Sequence, residues 1–280
     1  VIEACDEALR ERLIEPVLFG PRARIQAAAD KADVDISQWE LVDTEHSHQA
    51  AMLAARAAAD GHVESLMKGS LHSDELLSAV VDRESGLRTE RRISHVYVLD
   101  VPTYDKSLFI TDAAINIAPD LAAKTDIIQN AINLWRVVYG TERPPKVAVL
   151  AAVETINSRM PATLDAAALC KMAQRGQITG GLLDGPLAFD NAISPQAVAD
   201  KGIVSEVAGS ADILMVPDIE AGNMLAKQLT FLSHADAAAL VLGARVPIVL
   251  TSRADNRHTR LMSCALAVLM ADARRRGQVK

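Results

Sequence analysis

The stretch Pro247 to Leu261, PIVLTSRADNRHTRL, decides the reading of the chain. The apolar run PIVLT gives way to Ser252, Arg253, Ala254 and Asp255, and an amphipathic helix is predicted to follow from Asn256 to Arg274. The order is strand, tight loop, helix. A helix N-terminus presents unpaired backbone N–H groups and the positive end of the helix dipole. An anion can therefore sit there, with Arg253 closing over it and the Ser252 hydroxyl as a further donor. The same residues serve a plainer role equally well, with Asp255 or Asn256 capping the helix and Arg253 in solvent.

Outward from this stretch the same alternation continues to both ends. Short runs rich in Val, Ile and Leu predict strands at 16–19, 95–101, 108–111, 147–153, 212–216, 239–242 and 247–251. Apolar stripes at helical spacing predict helices at 6–14, 22–31, 48–60, 121–138, 164–175, 222–232 and 256–274, with Thr163 and Gly176 as caps of the fifth. The fold class is α/β, and strands apolar on both faces predict mainly parallel sheets. Breaks at Pro144–Pro145 and at Ala244–Pro247 predict two crossings between lobes. On that reading residues 1–144 plus 246–280 form a first, discontinuous α/β lobe and 145–245 a second, with the active-site cleft between them.

Composition narrows the field. The chain has 280 residues, half of them apolar, yet only 3% aromatic, so alanine-rich helices must supply much of the core. The longest uncharged run, Leu261 to Ala271, has 11 residues, short of the roughly 20 that a membrane-spanning helix requires. A formal net charge of −7 gives no overall attraction to nucleic acid or anionic lipid, so any anion site must be local. Cys5, Cys170 and Cys264 stand far apart with no zinc or disulfide spacing, which fits a reducing cytoplasm. Val1 in place of methionine predicts a trimmed or excised chain.

Further residues could carry chemistry. Lys68, Gly69, Ser70 and His72 place a cation, hydroxyls and a flexible backbone in a loop between two helices, though a Lys-Gly pair after a helix also reads as a C-cap. Gly180, Gly181, Asp184, Gly185 and Pro186 read as a turn that would let a ligand approach the backbone, or as a purely structural turn with Asp184 bonding locally. Asp218, Glu220, Gly222 and Asn223 follow a strand, where ligands meet parallel sheets and where a helix also needs caps. The histidines form no metal constellation. No GxSxG, GxGxxG or GxxxxGK[ST] occurs, which disfavours acyl-serine, nicotinamide and nucleotide P-loop chemistry.

Seven segments carry a resemblance: KGSLHSDELLSAV (68–80), RRISHVYVLDVP (91–102), ITDAAINIAP (110–119), ATLDAAALCKMA (162–173), GQITGGLLDGPLAFDNAIS (176–194), ADILMVPDIEAGNMLAKQLTF (211–231) and LGARVPIVLTSRAD (242–255). Together, and over nearly the whole chain, they resemble the phosphate acetyl/butyryl transferase family. TSRAD and DGPLAFDNAIS are more like the butyryltransferase branch and the transferase region that follows an enoyl-CoA hydratase domain in fusion proteins.

The resemblance implies reversible acyl transfer between coenzyme A and inorganic phosphate, both as substrates, without a cofactor or a metal. It also implies a two-lobed α/β/α fold like that of isocitrate and isopropylmalate dehydrogenases, a homodimer and, in the fusion branch, an N-terminal hydratase partner. Ser252 would serve the developing oxyanion or thiolate, and Arg253 would hold phosphate. The family's acetyltransferase branch has an aspartate where this chain has Thr259, and an arginine where it has Leu77. Lys68 with Ser70 then becomes the second phosphate holder and Asp255 the nearest candidate base, while His72, Asp184 and Asn223 are expected to contact substrate. The substitution at Thr259 also admits a catalytically silent module that binds coenzyme A esters or phosphate beside a fused hydratase.

Overall fold

A computed structural model describes residues 1–250 and 255–279. The chain divides into two compact units, Val1–Arg91 with Ala238–Lys280, and Arg92–Ala237.

The first unit opens with α1 (Ile2–Arg10), β1 (Val17–Gly20), α2 (Arg22–Ala32), β2 (Glu40–Asp43), α3 (Ser47–Ala59), β3 (Leu66–Met67) and α4 (Ser73–Val81). The second unit contributes β4 (Ser94–Asp100), β5 (Leu108–Thr111), α5 (Leu121–Tyr139), β6 (Lys146–Leu150), α6 (Pro161–Gln174), β7 (Leu182–Leu187), α7 (Phe189–Ile193), α8 (Pro195–Lys201), β8 (Ile213–Met215) and α9 (Ile219–Leu232). The chain then returns to the first unit through β9 (Asp236–Leu242), β10 (Ile248–Val249) and α10 (Arg257–Arg275).

In the first unit β1 pairs with β2 and β3 with β10, both in parallel, while β10 meets β9 antiparallel. Alanine does the packing here as its abundance implied. Ala50, Ala51, Ala55 and Ala58 form the buried face of α3, and Ala4 and Ala8 lie buried on α1, which packs against α10. Helix α1 starts and stops four residues before the expected span, because Arg12 takes a left-handed conformation at φ 58° and ends it.

In the second unit the strand order is β4-β5-β8-β6-β7. All pairs are parallel except β4 with β5. The two faces of the sheet separate with period two. Leu108, Ile110, Ala148, Leu150, Leu214 and Val216 join a core with Ala192 of α7 and with Ala226 and Leu229 of α9. Phe109, on the other face, meets Tyr139 of α5, with ring centroids 6.4 Å apart. Helix α5 is buried along Ile127, Ile128, Ala131, Ile132, Leu134 and Trp135.

One buried carboxylate fastens the amino ends of these strands. Asp212, 1% exposed, accepts from Lys106 Nζ at 2.8 Å, from Arg143 at 2.9 and 3.1 Å, and from the Lys146 amide at 2.8 Å. Burial pushes its carboxyl up, but these donors outweigh burial and hold it below the ordinary value.

The two prolines at 144–145 lie inside the second unit and mark a strand start rather than a crossing. The Pro145 carbonyl accepts from the Leu182 amide at 2.9 Å, at the head of the β6–β7 ladder. Residues Gly243 to Pro247 likewise turn the chain from β9 into antiparallel β10, within the first unit. Thr163 is not an N-cap: α6 begins at Pro161, and the Thr163 hydroxyl donates back to the Met160 carbonyl at 2.8 Å. Gly176 does follow the last turn of α6, at φ 77°.

Candidate functional site

Two of the residues expected to do the chemistry, Ser252 and Arg253, lie outside the described residues. Their setting on either side is defined. Strands β3 and β10 run parallel, and the Lys68 amide donates to the Val249 carbonyl at 2.9 Å. The segment that begins at Lys68 and the segment that continues through Leu250 therefore leave the ladder at the same, carboxyl end. Lys68 Nζ donates to the Leu71 carbonyl at 3.0 Å, which folds its side chain over its own loop. Ser70 is exposed, and so is His72, the N-cap residue of α4, whose amide donates to Glu75 Oε1 at 3.3 Å. Leu77 lies on α4.

Beyond the undescribed residues the chain re-enters at Asp255, and Asn256 is the N-cap of α10. Its Oδ1 accepts from the Thr259 amide at 2.8 Å, so the cap falls to Asn256 and Thr259 occupies the third helical position.

Asp184 and Asn223 belong to the second unit. The region 178–190, expected as a turn, contains β7, and Asp184 lies within that strand opposite Ala148. Its Oδ1 accepts from the Gly185 amide at 2.8 Å. Gly185 is required for close approach: a Cβ there would stand 2.6 Å from the Val149 carbonyl oxygen. The Gly-Pro sequence imitates a turn signal while serving strand packing.

Asn223 sits near the start of α9, and its Nδ2 donates to the Ala113 carbonyl at 3.2 Å. The helix docks there because residue 222 is glycine. A Cβ at that position would lie 2.7 Å from the Asp112 carbonyl oxygen and 2.8 Å from Val216. Asp218 caps the helix, its Oδ1 accepting from the Ala221 amide at 2.9 Å.

The opposing loop is held by Asp112, a residue the sequence reading passed over. Its carboxylate accepts from the amides of Ala114, Ile115 and Asn116 at 2.9, 3.0 and 3.3 Å and from Asn116 Nδ2 at 2.6 Å. Arg92 Nε donates to Asn116 Oδ1 at 2.6 Å. Acidic Asp followed four positions on by Asn, just past an apolar strand, was the visible signal. The partner Arg92, 24 residues away, was not inferable from spacing. Asp112 also bears on His95, which is buried and whose Nδ1 has no hydrogen-bond partner among the described residues. Burial lowers the His95 pKa to about 4, opposed by Asp112, so the ring is neutral near pH 7.

Ala113, Ala114, Ile219, Glu220, Asn223 and Met224 line an open depression of about 450 Å³ at the carboxyl ends of β5 and β8. No group of three or more His, Cys, Asp or Glu that could hold a metal ion occurs among the described residues.

Mainly parallel strands alternating with helices define an α/β protein, and comparison with known proteins narrows the class. The Phosphate acetyl/butaryl transferase family pattern matches residues 46–268. A phosphate acetyltransferase of Rhizobium meliloti is 61% identical over 98% of this chain and 86% of its own length. A crystal structure of a branched-chain phosphotransacylase from Enterococcus faecalis V583 superposes with a TM-score of 0.82 at 30% identity, over 96% of this chain and 94% of that one. The fold extends to a 4-hydroxythreonine-4-phosphate dehydrogenase from Burkholderia phymatum (TM-score 0.53, 13% identity, 96% and 92% covered), in line with the dehydrogenase-like architecture expected. The chain belongs to the phosphate acetyl/butyryl transferase family.

Proposed function

We propose that the chain catalyses reversible transfer of an acyl group between coenzyme A and inorganic phosphate. The observation that supports it most is the family match across 46–268, joined to a geometry in which the Lys68 loop and the strand leading to Ser252 leave one parallel ladder at the same end.

In this reading a phosphate oxygen attacks the thioester carbonyl carbon. The new C–O bond forms, the C–S bond breaks, and the thiolate takes up a proton as coenzyme A leaves. The protein must hold the phosphate, stabilise the oxyanion and assist the thiolate. Arg253 and Lys68, with Ser70, are assigned to phosphate, Ser252 to the oxyanion or thiolate, and Asp255 to the proton that moves on and off sulfur. His72, Asp184 and Asn223 are assigned to substrate contact. Asn256 carries the α10 cap, which leaves that duty off Asp255.

A cytoplasmic homodimer is part of the same proposal. All three cysteines are free thiols, consistent with a reducing compartment, and among the described residues no helix is long and apolar enough to cross a membrane.

Arg253→Ala tests the phosphate assignment. The expected result is a large rise in the KM for phosphate with a smaller change in the KM for the acyl-CoA. An unchanged dependence on phosphate removes Arg253 from that role.

A further inference from the structure

The cations gathered around Asp212 exceed what one carboxylate neutralises. Lys106 Nζ donates to Asp212 Oδ1 at 2.8 Å and to the Ser210 carbonyl at 2.6 Å, and Arg143 binds both carboxylate oxygens. Lys146 gives its amide to Asp212 Oδ2 at 2.8 Å, yet its ammonium goes to a neutral group, Ser210 Oγ, also at 2.8 Å. Three positive side chains therefore surround one negative one. Asp105 and Glu142, the carboxylates beside them in sequence, are exposed and form no ion pair with any of the three among the described residues.

The excess charge is held in place. The Arg143 guanidinium lies over the Trp135 ring, 4.5 Å from its centroid, and Lys106 Nζ stands 6.0 Å from the centroid of Tyr104, whose hydroxyl donates to the Ala211 carbonyl at 2.7 Å. Fixed like charges at such range repel, and the Lys106 side chain is only 26% exposed, so water relieves that repulsion in part. An ammonium has three N–H donors. Lys106 uses two and Lys146 one, and the Ser210 hydroxyl accepts from Lys146 while donating to no acceptor among the described residues. The spare donors thus converge on Ser210, at the amino ends of β5, β6 and β8.

We propose that Lys106, Lys146 and the Ser210 hydroxyl bind a dianionic phosphate group, with Arg143 adding to the field. A phosphate monoester carries close to two negative charges near neutral pH, which matches the excess, and lysines hold phosphate as point charges. A carboxylate brings one charge and suits an arginine fork, and the fork of Arg143 is already spent on Asp212. Open α/β sheets bind substrates at the carboxyl ends of their strands, so a group held at the amino ends acts as an effector that steadies the sheet. The site lies wholly within the second unit and does not depend on the acyl-transfer reading.

The experiment is calorimetric titration of the full chain with glycerol phosphate and, separately, with inorganic phosphate. It is repeated on Lys146→Gln, Ser210→Ala and Lys171→Gln, the last an exposed lysine of α6 that serves as a control for net charge. Losing one charge-assisted hydrogen bond costs about tenfold or more in affinity. Lys146→Gln is expected to weaken binding by that factor, Ser210→Ala by less, and Lys171→Gln not at all. Lys146→Gln retains the backbone bond to Asp212 and both of its paired cations, and Ser210→Ala keeps the test open if the first variant fails to fold. Tighter binding of the ester than of inorganic phosphate makes an ester the ligand, and the reverse order makes it the free ion; both support the site. Weakening by Lys146→Gln also separates this site from phosphate held by Arg253, which has its own variant. No saturable binding of either probe at millimolar concentration overturns the proposal, as does binding that Lys146→Gln leaves unmoved. Equal weakening in Lys171→Gln overturns it too, since diffuse charge alone would then account for the effect.

Discussion

Ser252 carries the sharpest expectation at the scale of single residues. If it donates to the oxyanion, Ser252→Ala should lower turnover by about 100- to 1000-fold while leaving the phosphate KM nearly unchanged. Steady-state kinetics at saturating acyl-CoA gives the answer, and equal turnover removes the hydroxyl from the chemistry. Gly222 makes a different claim. A methyl group there meets the Asp112 carbonyl oxygen at 2.7 Å and Val216 at 2.8 Å, so Gly222→Ala should destabilise the fold by about 1–3 kcal/mol, as overpacking does. Urea unfolding measures it, and unchanged stability would show that α9 can shift at no cost. Ser252 and Arg253 stand out in the sequence because they follow the apolar run PIVLT, and their roles are proposals. The sequence did not single out Asp112, and it marked Gly222 without its reason, which lies in contacts made across the fold.

Elements were legible where their periodicity ran long. Helix α5 begins at the expected residue, and β5 matches its expected span, because ten buried side chains on α5 and four consecutive buried residues on β5 leave strong patterns. Strand β3 is two residues long and β7 contains Gly185-Pro186, so neither looks like a strand. The domain boundaries were obscured similarly, since prolines at 144–145 mark the start of β6 as readily as a crossing. The amino ends of β5, β6 and β8 converge on Asp212, which makes that carboxylate a fastener of the sheet. Asp212→Ala leaves Arg143 without its carboxylate partner and Lys106 with the Ser210 carbonyl alone, and should cost about 3 kcal/mol, less than a fully enclosed pair because Arg143 is 55% exposed. A midpoint unchanged in urea would mean that solvent replaces the carboxylate without penalty.

For the whole molecule, His95 sets a pH dependence. Its folded pKa of about 4 lies below the ordinary 6.5, so the unfolded chain binds a proton that the folded chain refuses. Stability is complete above pH 6.5, is lost as pH falls toward 4, and levels off below, a change of about 3 kcal/mol from this ring. Asp212, with its depressed carboxyl, acts in a separate window below its ordinary 3.8. Unfolding at pH 7, 5.5 and 4.5 should show the decline, and His95→Gln should flatten it; a flat profile in the unsubstituted protein contradicts a buried neutral His95. The central claim is the reaction itself. The most direct measurement follows free thiol release from acetyl-CoA and butyryl-CoA, each with and without inorganic phosphate. The account predicts release that requires phosphate and yields the acyl phosphate in equal amount. A folded protein that binds coenzyme A esters yet releases no thiol would contradict it and leave a silent binding module in its place.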